Sequence, residues 1–198
     1  MQVIKTFVKV SFLVVMAAML LACGGLRYSQ VAPDAKDFKP KTIGVLPVNV
    51  GAYEEARSVA DQIISGVLVK KGWFSNVLSP VKTKSQMDHN NKLRDMVVDY
   101  LTKLETVNFS DPERSKEIGE SYGMEAFLVV NVDFWNYTVE GGDKVAKVGF
   151  SMDLVEAQTG KILWKAGHHE VEDYWLMKPD LSKLAQKVAG MMIDAMPH

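Results

Sequence analysis

The sequence predicts an α/β (α+β) fold, a mixed sheet with an antiparallel C-terminal meander covered by amphipathic helices. Two observations carry this expectation. A β-rich run, Thr42-Ile43-Gly44-Val45-Leu46-Pro47-Val48, is followed by a helical apolar period and then by a second short apolar run. That order is the signature of an α/β layer with a helix lying on the sheet. Three longer β-rich segments then lie close together in the C-terminal half, separated by glycine-containing turns, as in an antiparallel meander.

Each element has its own signal. Ala56, Val59, Ala60, Ile63, Ile64, Val67 and Leu68 recur at helical spacing, and Lys70, Lys71 and Gly72 supply the C-terminal stop. Val77-Leu78 reads as the second strand, ending before Pro80. Leu93, Met96, Val97, Tyr100, Leu101 and Leu104 predict a helix that breaks at 108–110. Ser110-Asp111-Pro112-Glu113 combines a cap, an early proline and an acid, so a short helix starts there; Ile118 and Tyr122 mark its inner face and Gly123 its end. Strands are expected over 126–139, 145–155 and 162–171, joined by Glu140-Gly141-Gly142-Asp143 and Ala157-Gln158-Thr159-Gly160. A last helix, capped by Asp180, should bury Leu181, Leu184, Val188, Met191, Met192 and Ala195.

The N-terminus carries a different kind of information. Lys5 and Lys9 precede an apolar run over 10–21 broken only by Ser11, and Ala22 stands before Cys23, the single cysteine of the chain. This is the layout of a secretory signal. The run is short of the roughly 20 apolar residues that span a bilayer. Leu20-Leu21-Ala22-Cys23 resembles a bacterial lipobox, and the resemblance implies removal of residues 1–22 and acylation of Cys23. It also accounts for a thiol that would otherwise stay unpaired in an oxidising compartment. Acyl chains of this kind hold a protein on a membrane without a spanning helix. Gly24, where a retention aspartate could stand, implies the outer membrane in a two-membrane host. Residues 24–41 mix Gly, Pro and charge without a period and read as a lipidated tether that starts at Cys23, reaching at most about 60 Å when extended. The periplasmic domain is then 42–198.

Charge narrows the partners. The chain has 23 Lys and Arg against 24 Asp and Glu; loss of residues 1–22 removes Lys5 and Lys9 and leaves a net charge of −3. Nothing in that balance suits nucleic acid or anionic lipid.

Several segments together are similar to a known group. TIGVLPVNV, a helix containing VADQIISGV, KKGWF, IGESYGMEAFLVVNV and MDLVEAQTGKILWK resemble the CsgG, LpoB and TolB-amino-terminal group of periplasmic proteins. The matching positions are Leu46-Pro47, Gly123, Asp153-Leu154, Thr159-Gly160 and Leu163-Trp164, and the resemblance covers about 42–171. It implies an envelope lipoprotein, either a subunit of a CsgG-like secretion pore or an LpoB-like activator of a peptidoglycan synthase. The activator needs a long tether, which 24–41 is not. The pore needs strands of about 9 to 11 residues with a lipid-facing side, whereas Leu128, Val130, Val132, Phe134, Val148, Phe150, Met152 and Leu154 are wanted as cover for the helices.

Candidate sites are few. His168-His169-Glu170, with Glu172 and Asp173, has metal-ligand residue types, but neighbours on a strand face opposite ways, so the segment reads as a solvated strand end. His89 and His198 stand alone, and Asp99 and Glu105 read as a solvated helix face. No GxSxG or phosphate loop is present. With strict alternation, Phe134 joins the core while Trp135 and Tyr137 share the polar face with Asn131 and Asp133, so Trp135 and Tyr137 are the interface candidates. The expected function is that of a non-enzymatic outer-membrane lipoprotein, its periplasmic domain acting as a protein-interaction or envelope-assembly module. No cofactor or metal is expected; the partners are the membrane, through the lipid, and other envelope proteins, with homo-oligomerisation open.

Overall fold

The computed structural model describes residues 25–198, so the signal segment and Cys23 lie outside the described residues. The strands are β1 (Tyr28–Val31), β2 (Thr42–Val45), β3 (Asn76–Leu78), β4 (Ala126–Glu140), β5 (Asp143–Glu156) and β6 (Ile162–Asp173). The helices are α1 (Arg57–Lys71), α2 (Pro80–His89), α3 (Asn91–Val107), α4 (Pro112–Tyr122) and α5 (Leu181–Asp194). The strands form one mixed sheet in the order β1-β6-β5-β4-β2-β3. β2 runs parallel to β3 and β4, whereas β4, β5, β6 and β1 are successively antiparallel. This is the predicted α/β arrangement, and the β4-β5-β6 meander is its largest part.

Helices cover both faces, which is why one strand can be apolar on two sides. α1 and α5 pack Ala60, Ile64, Leu68, Val188 and Met192 against Ile43, Val45, Leu128, Val130, Phe150 and Met152. α2, α3 and α4 pack Met87, Val97, Tyr100, Leu104 and Ile118 against Leu46, Phe127, Val129 and Val155. Full burial of such a side chain contributes roughly 1.5–3 kcal/mol.

The helix ends follow the local chemistry read from the sequence. Asp111 accepts from the Glu113 and Arg114 amides and Asp180 from Ser182, as read from the sequence, while Asn90, unmarked there, caps α3 by accepting from Leu93. Gly72, Gly123 and Asn108 close α1, α4 and α3 in the left-handed conformation. The expected inner face of α5 changes: Ala195 is exposed just beyond the helix, Leu181 and Met191 are only half-buried, and Ile193, outside the expected set, is buried.

Pro80 does more than end β3: it opens α2 as the first helical residue after Ser79. α2 has little apolar signal, burying only Pro80, Thr83 and Met87. It is tied down by hydrogen bonds instead, since the Thr83 hydroxyl donates to the Val45 carbonyl at 3.0 Å and Tyr122 Oη donates to the Thr83 carbonyl at 3.1 Å.

The tether expected over 24–41 is largely part of the domain. β1 pairs with β6 from Tyr28 opposite Gly167 to Val31 opposite Trp164, and the Trp164 indole donates to Ser29 Oγ at 3.0 Å. Ala35 is buried, and Leu26 and Phe38 pack against the main core. The mixed composition had hidden a strand whose four side chains are all exposed and therefore carry no alternating pattern.

The register of β4 also departs from strict alternation. Val132 pairs with Phe150 and Phe134 with Gly149, so Asp133 is an extra residue, a bulge. Beyond it every side chain changes face. Trp135 is 4% exposed in the core, and Phe134 is only partly buried. The sequence-based faces of Phe134 and Trp135 are thus exchanged, because one inserted residue inverts a two-residue period.

Candidate functional site

The open end of the meander is built by the β4-β5 turn at Gly141-Gly142, the end of β6 and the 174–180 loop leading to α5. The Tyr174 amide donates to the Lys144 carbonyl at 2.9 Å and fixes the start of the loop. Tyr137 Oη donates to the Pro179 carbonyl at 2.7 Å and fixes its end. The Tyr137 ring also meets Tyr174 edge-on at 5.8 Å, and Lys178 Nζ lies 4.6 Å from its centroid. Tyr137, 37% exposed, is therefore a prop for the loop. Held outward between these fixed points are Trp175, Leu176 and Met177, which are 91%, 84% and 82% exposed, beside Val139 at 63%. Four large apolar residues at one end of a domain are an unusual use of surface.

Behind this end the two histidines separate, as adjacent strand residues must. His169 turns to Phe134, edge-on at 5.1 Å, and Lys147 Nζ sits 4.1 Å from the Phe134 centroid. Gly149 makes this fit: a Cβ there would come within 2.9 Å of the Phe134 ring and 2.7 Å of His169. Partial burial, with Arg27 and Lys147 nearby, lowers the His169 pKa. His168 faces the other way. It is 8% exposed, so this part of the expected solvated strand end is buried. Its Nδ1 accepts from the Arg27 amide at 3.3 Å, and its Nε2 donates to Glu170 Oε1 at 3.2 Å. Glu170 Oε2 in turn accepts from Lys187 of α5 at 2.9 Å.

A second feature is an open cleft of about 490 Å³ between α3 and the β4-β5-β6 surface. Its floor carries the polar residues Asn131, Ser151, Asp153 and Lys165. Lys165 Nζ is already held by Asp153 at 2.9 Å and Asn108 at 2.8 Å, while Ser151 donates to Asp133 at 3.0 Å. Desolvation raises the Asp133 pKa and the Ser151 bond opposes it. These polar groups pair largely with one another. Glu105 borders it and accepts from Asn49 at 3.3 Å; Asp99 pairs with Lys103 at 2.9 Å on the exposed side of α3.

The remaining candidates are dispersed. His89 bonds the Ser85 carbonyl within α2, and His198 stacks on Trp73 at 3.6 Å at the far end of the molecule. Among the described residues no group of three or more His, Cys, Asp or Glu side chains is placed to hold a metal ion. No helix among them is long and apolar enough to cross a membrane. Of the two interface candidates, Trp135 belongs to the core and Tyr137 to the base of the loop. The exposed Trp175-Leu176-Met177 went unmarked by periodicity; its signal was an apolar triplet within an otherwise polar connection.

No protein-family model matches the sequence, and no curated protein matches it. Solved structures do resemble it. PelC from Paraburkholderia phytofirmans, crystallised as a dodecamer, superposes with a TM-score of 0.53 at 16% identity, over 86% of this chain and 95% of that one. The hypothetical protein CT253 from Chlamydia trachomatis gives 0.55 at 8% identity, over 77% and 93% of the two chains. At these identities the likeness is one of fold.

Proposed function

We propose that the chain is a non-enzymatic lipoprotein, anchored through Cys23 to the outer membrane and facing the periplasm, whose domain assembles with copies of itself. The observation that carries this reading is the free edge of β1, which begins five residues after Cys23. The Ala32 amide donates inward to the Leu163 carbonyl at 2.8 Å, so by antiparallel alternation the Ser29 and Val31 amides point away from β6. An exposed row of this kind is a template for another strand. All four β1 side chains are exposed, with Tyr28 at 45% and Val31 at 49%. The dodecamer formed by PelC, which shares the fold, supports the self-assembly part of the reading.

The acylated mature protein should run in detergent as a multiple of its chain mass by light scattering. Val31→Lys places a charge on the free edge and should yield the single chain with an unchanged circular dichroism spectrum. A wild-type protein that stays a single chain, or a Val31→Lys variant of undiminished mass, would reject the edge as the contact. Acylation is tested separately by mass analysis of the mature N-terminus.

A further inference from the structure

We propose that the Trp175-Leu176-Met177 loop seats in the surface of a phospholipid bilayer, so that the domain rests end-on against its membrane. The inference rests on the Cys23 anchor for orientation and on the fold for everything else.

β1 is antiparallel to β6, so its N-terminal end, at Tyr28 opposite Gly167, points along β6 towards Asp173 and the exposed loop. Leu26 is packed against the core and the Arg27 amide is bonded to His168, so the chain is already fixed there. Cys23 lies three residues before Leu26, a span of at most about 11 Å for an extended chain. A lipid on Cys23 therefore leaves the domain no room to stand off, and the end of the sheet it reaches is the end that carries the loop. The distance from Gly167 to Asp173, about 20 Å at the strand rise, is close to the distance an extended chain covers from Tyr28 back to Cys23. Anchor and loop can meet one surface together.

The chemistry of the loop suits that surface. Tryptophan and tyrosine favour the bilayer interface, with apolar neighbours entering the acyl boundary. Tyr174 and Lys178 flank the triplet. Glu140, Asp143, Glu172 and Asp173 at the same end outnumber Lys144 and Lys178. Attraction to anionic lipid is thus not the driving force, and zwitterionic bilayers suffice.

Trp175 is the tryptophan to watch. Trp135 and Trp164 are buried, and Trp73 lies at the opposite end of the sheet, beside the start of β3. The acylated full-length mature protein should be reconstituted into phosphatylethanolamine–phosphatidylcholine vesicles with and without brominated acyl chains. Bromine should quench part of the emission of the wild type, and Trp175→Phe should abolish that quenching while remaining vesicle-bound. Equal quenching of both proteins, or none in either, would overturn the proposal. So would a Trp175 emission already blue-shifted before vesicles are added, which would mean burial against another copy. Mass analysis keeps the two readings apart: an unacylated N-terminus with Trp175 quenched rejects the anchor alone, and an acylated one with Trp175 unquenched rejects the loop alone.

Discussion

His168 is a small hub. By accepting at Nδ1 from the Arg27 amide it is fixed as the Nε2–H tautomer, which lets Nε2 donate to Glu170. The Lys187 ammonium holds the Glu170 carboxyl below its ordinary value of 4.5; partial burial opposes this and the His168 bond adds to it. A lowered acid contributes stability above its unfolded pKa and loses it as pH falls through the folded one. Glu170→Gln should therefore lower Tm at pH 7, and the difference from wild type should shrink as pH falls through the folded pKa of Glu170 and vanish once the carboxyl is protonated in both states; a gap that persists in acid would mean that shape, not charge, joins β6 to α5. The bulge at Asp133 gives a second residue-scale test. Trp135→Ala should cost about 3–5 kcal/mol in chemical denaturation. Phe134→Ala should cost about 1 kcal/mol, the size of an edge-on aromatic pair. The reverse order would reject the bulged register. Nothing in the residue types of 130–137 distinguishes the two registers, since Phe134 and Trp135 both suit a core.

At the scale of elements, the fold is held by close approaches at the β5-β6 turn. Tyr100 of α3 bonds Ser110 at 2.7 Å, and Ser110 donates to the Gly160 carbonyl at 2.6 Å. Burial pushes the Tyr100 hydroxyl up to about 12. Ser115 of α4 donates to the Ala157 carbonyl at 2.9 Å. α4 can come this near because residue 119 is glycine: a Cβ there would lie 2.5 Å from Ala157 Cβ and 3.1 Å from the Met124 carbonyl oxygen. Gly119→Ala should destabilise by about 1–3 kcal/mol, the usual cost of overpacking, despite the better helix propensity of alanine. A stabilised variant in thermal melts would show that α4 is free to shift. Thr159-Gly160 and Leu163-Trp164 have a structural reason for their residue types here. Gly160 has φ +69° with Pro112 against it, and Leu154 and Trp164 are a buried cross-strand pair.

On the scale of the molecule, much of the N-terminal segment is part of the folded domain. A chain beginning at Lys41 would lack β1, the buried Ala35 and the packed Leu26 and Phe38. It should melt at lower temperature than one beginning at Gly24 and should aggregate on heating, because the edge of β6 would be uncovered. Equal melting temperatures would restore the tether reading. With the lipid proposed at Cys23, the same segment would hold the sheet close to its membrane, since three residues cannot act as a long reach.

The sequence by itself determined the class of fold, the order of nearly every element, the helix caps and the position of Cys23. These are local matters: apolar periods, glycine stops and capping side chains act within a few residues of themselves. Tertiary structure decided what depends on partners far along the chain. An all-exposed β1 has no pattern and exists because β6 offers it a ladder. The extra residue at Asp133 is defined only against β5. Trp175, Leu176 and Met177 face solvent because Tyr137, thirty-eight residues before Trp175 in sequence, holds both ends of their loop.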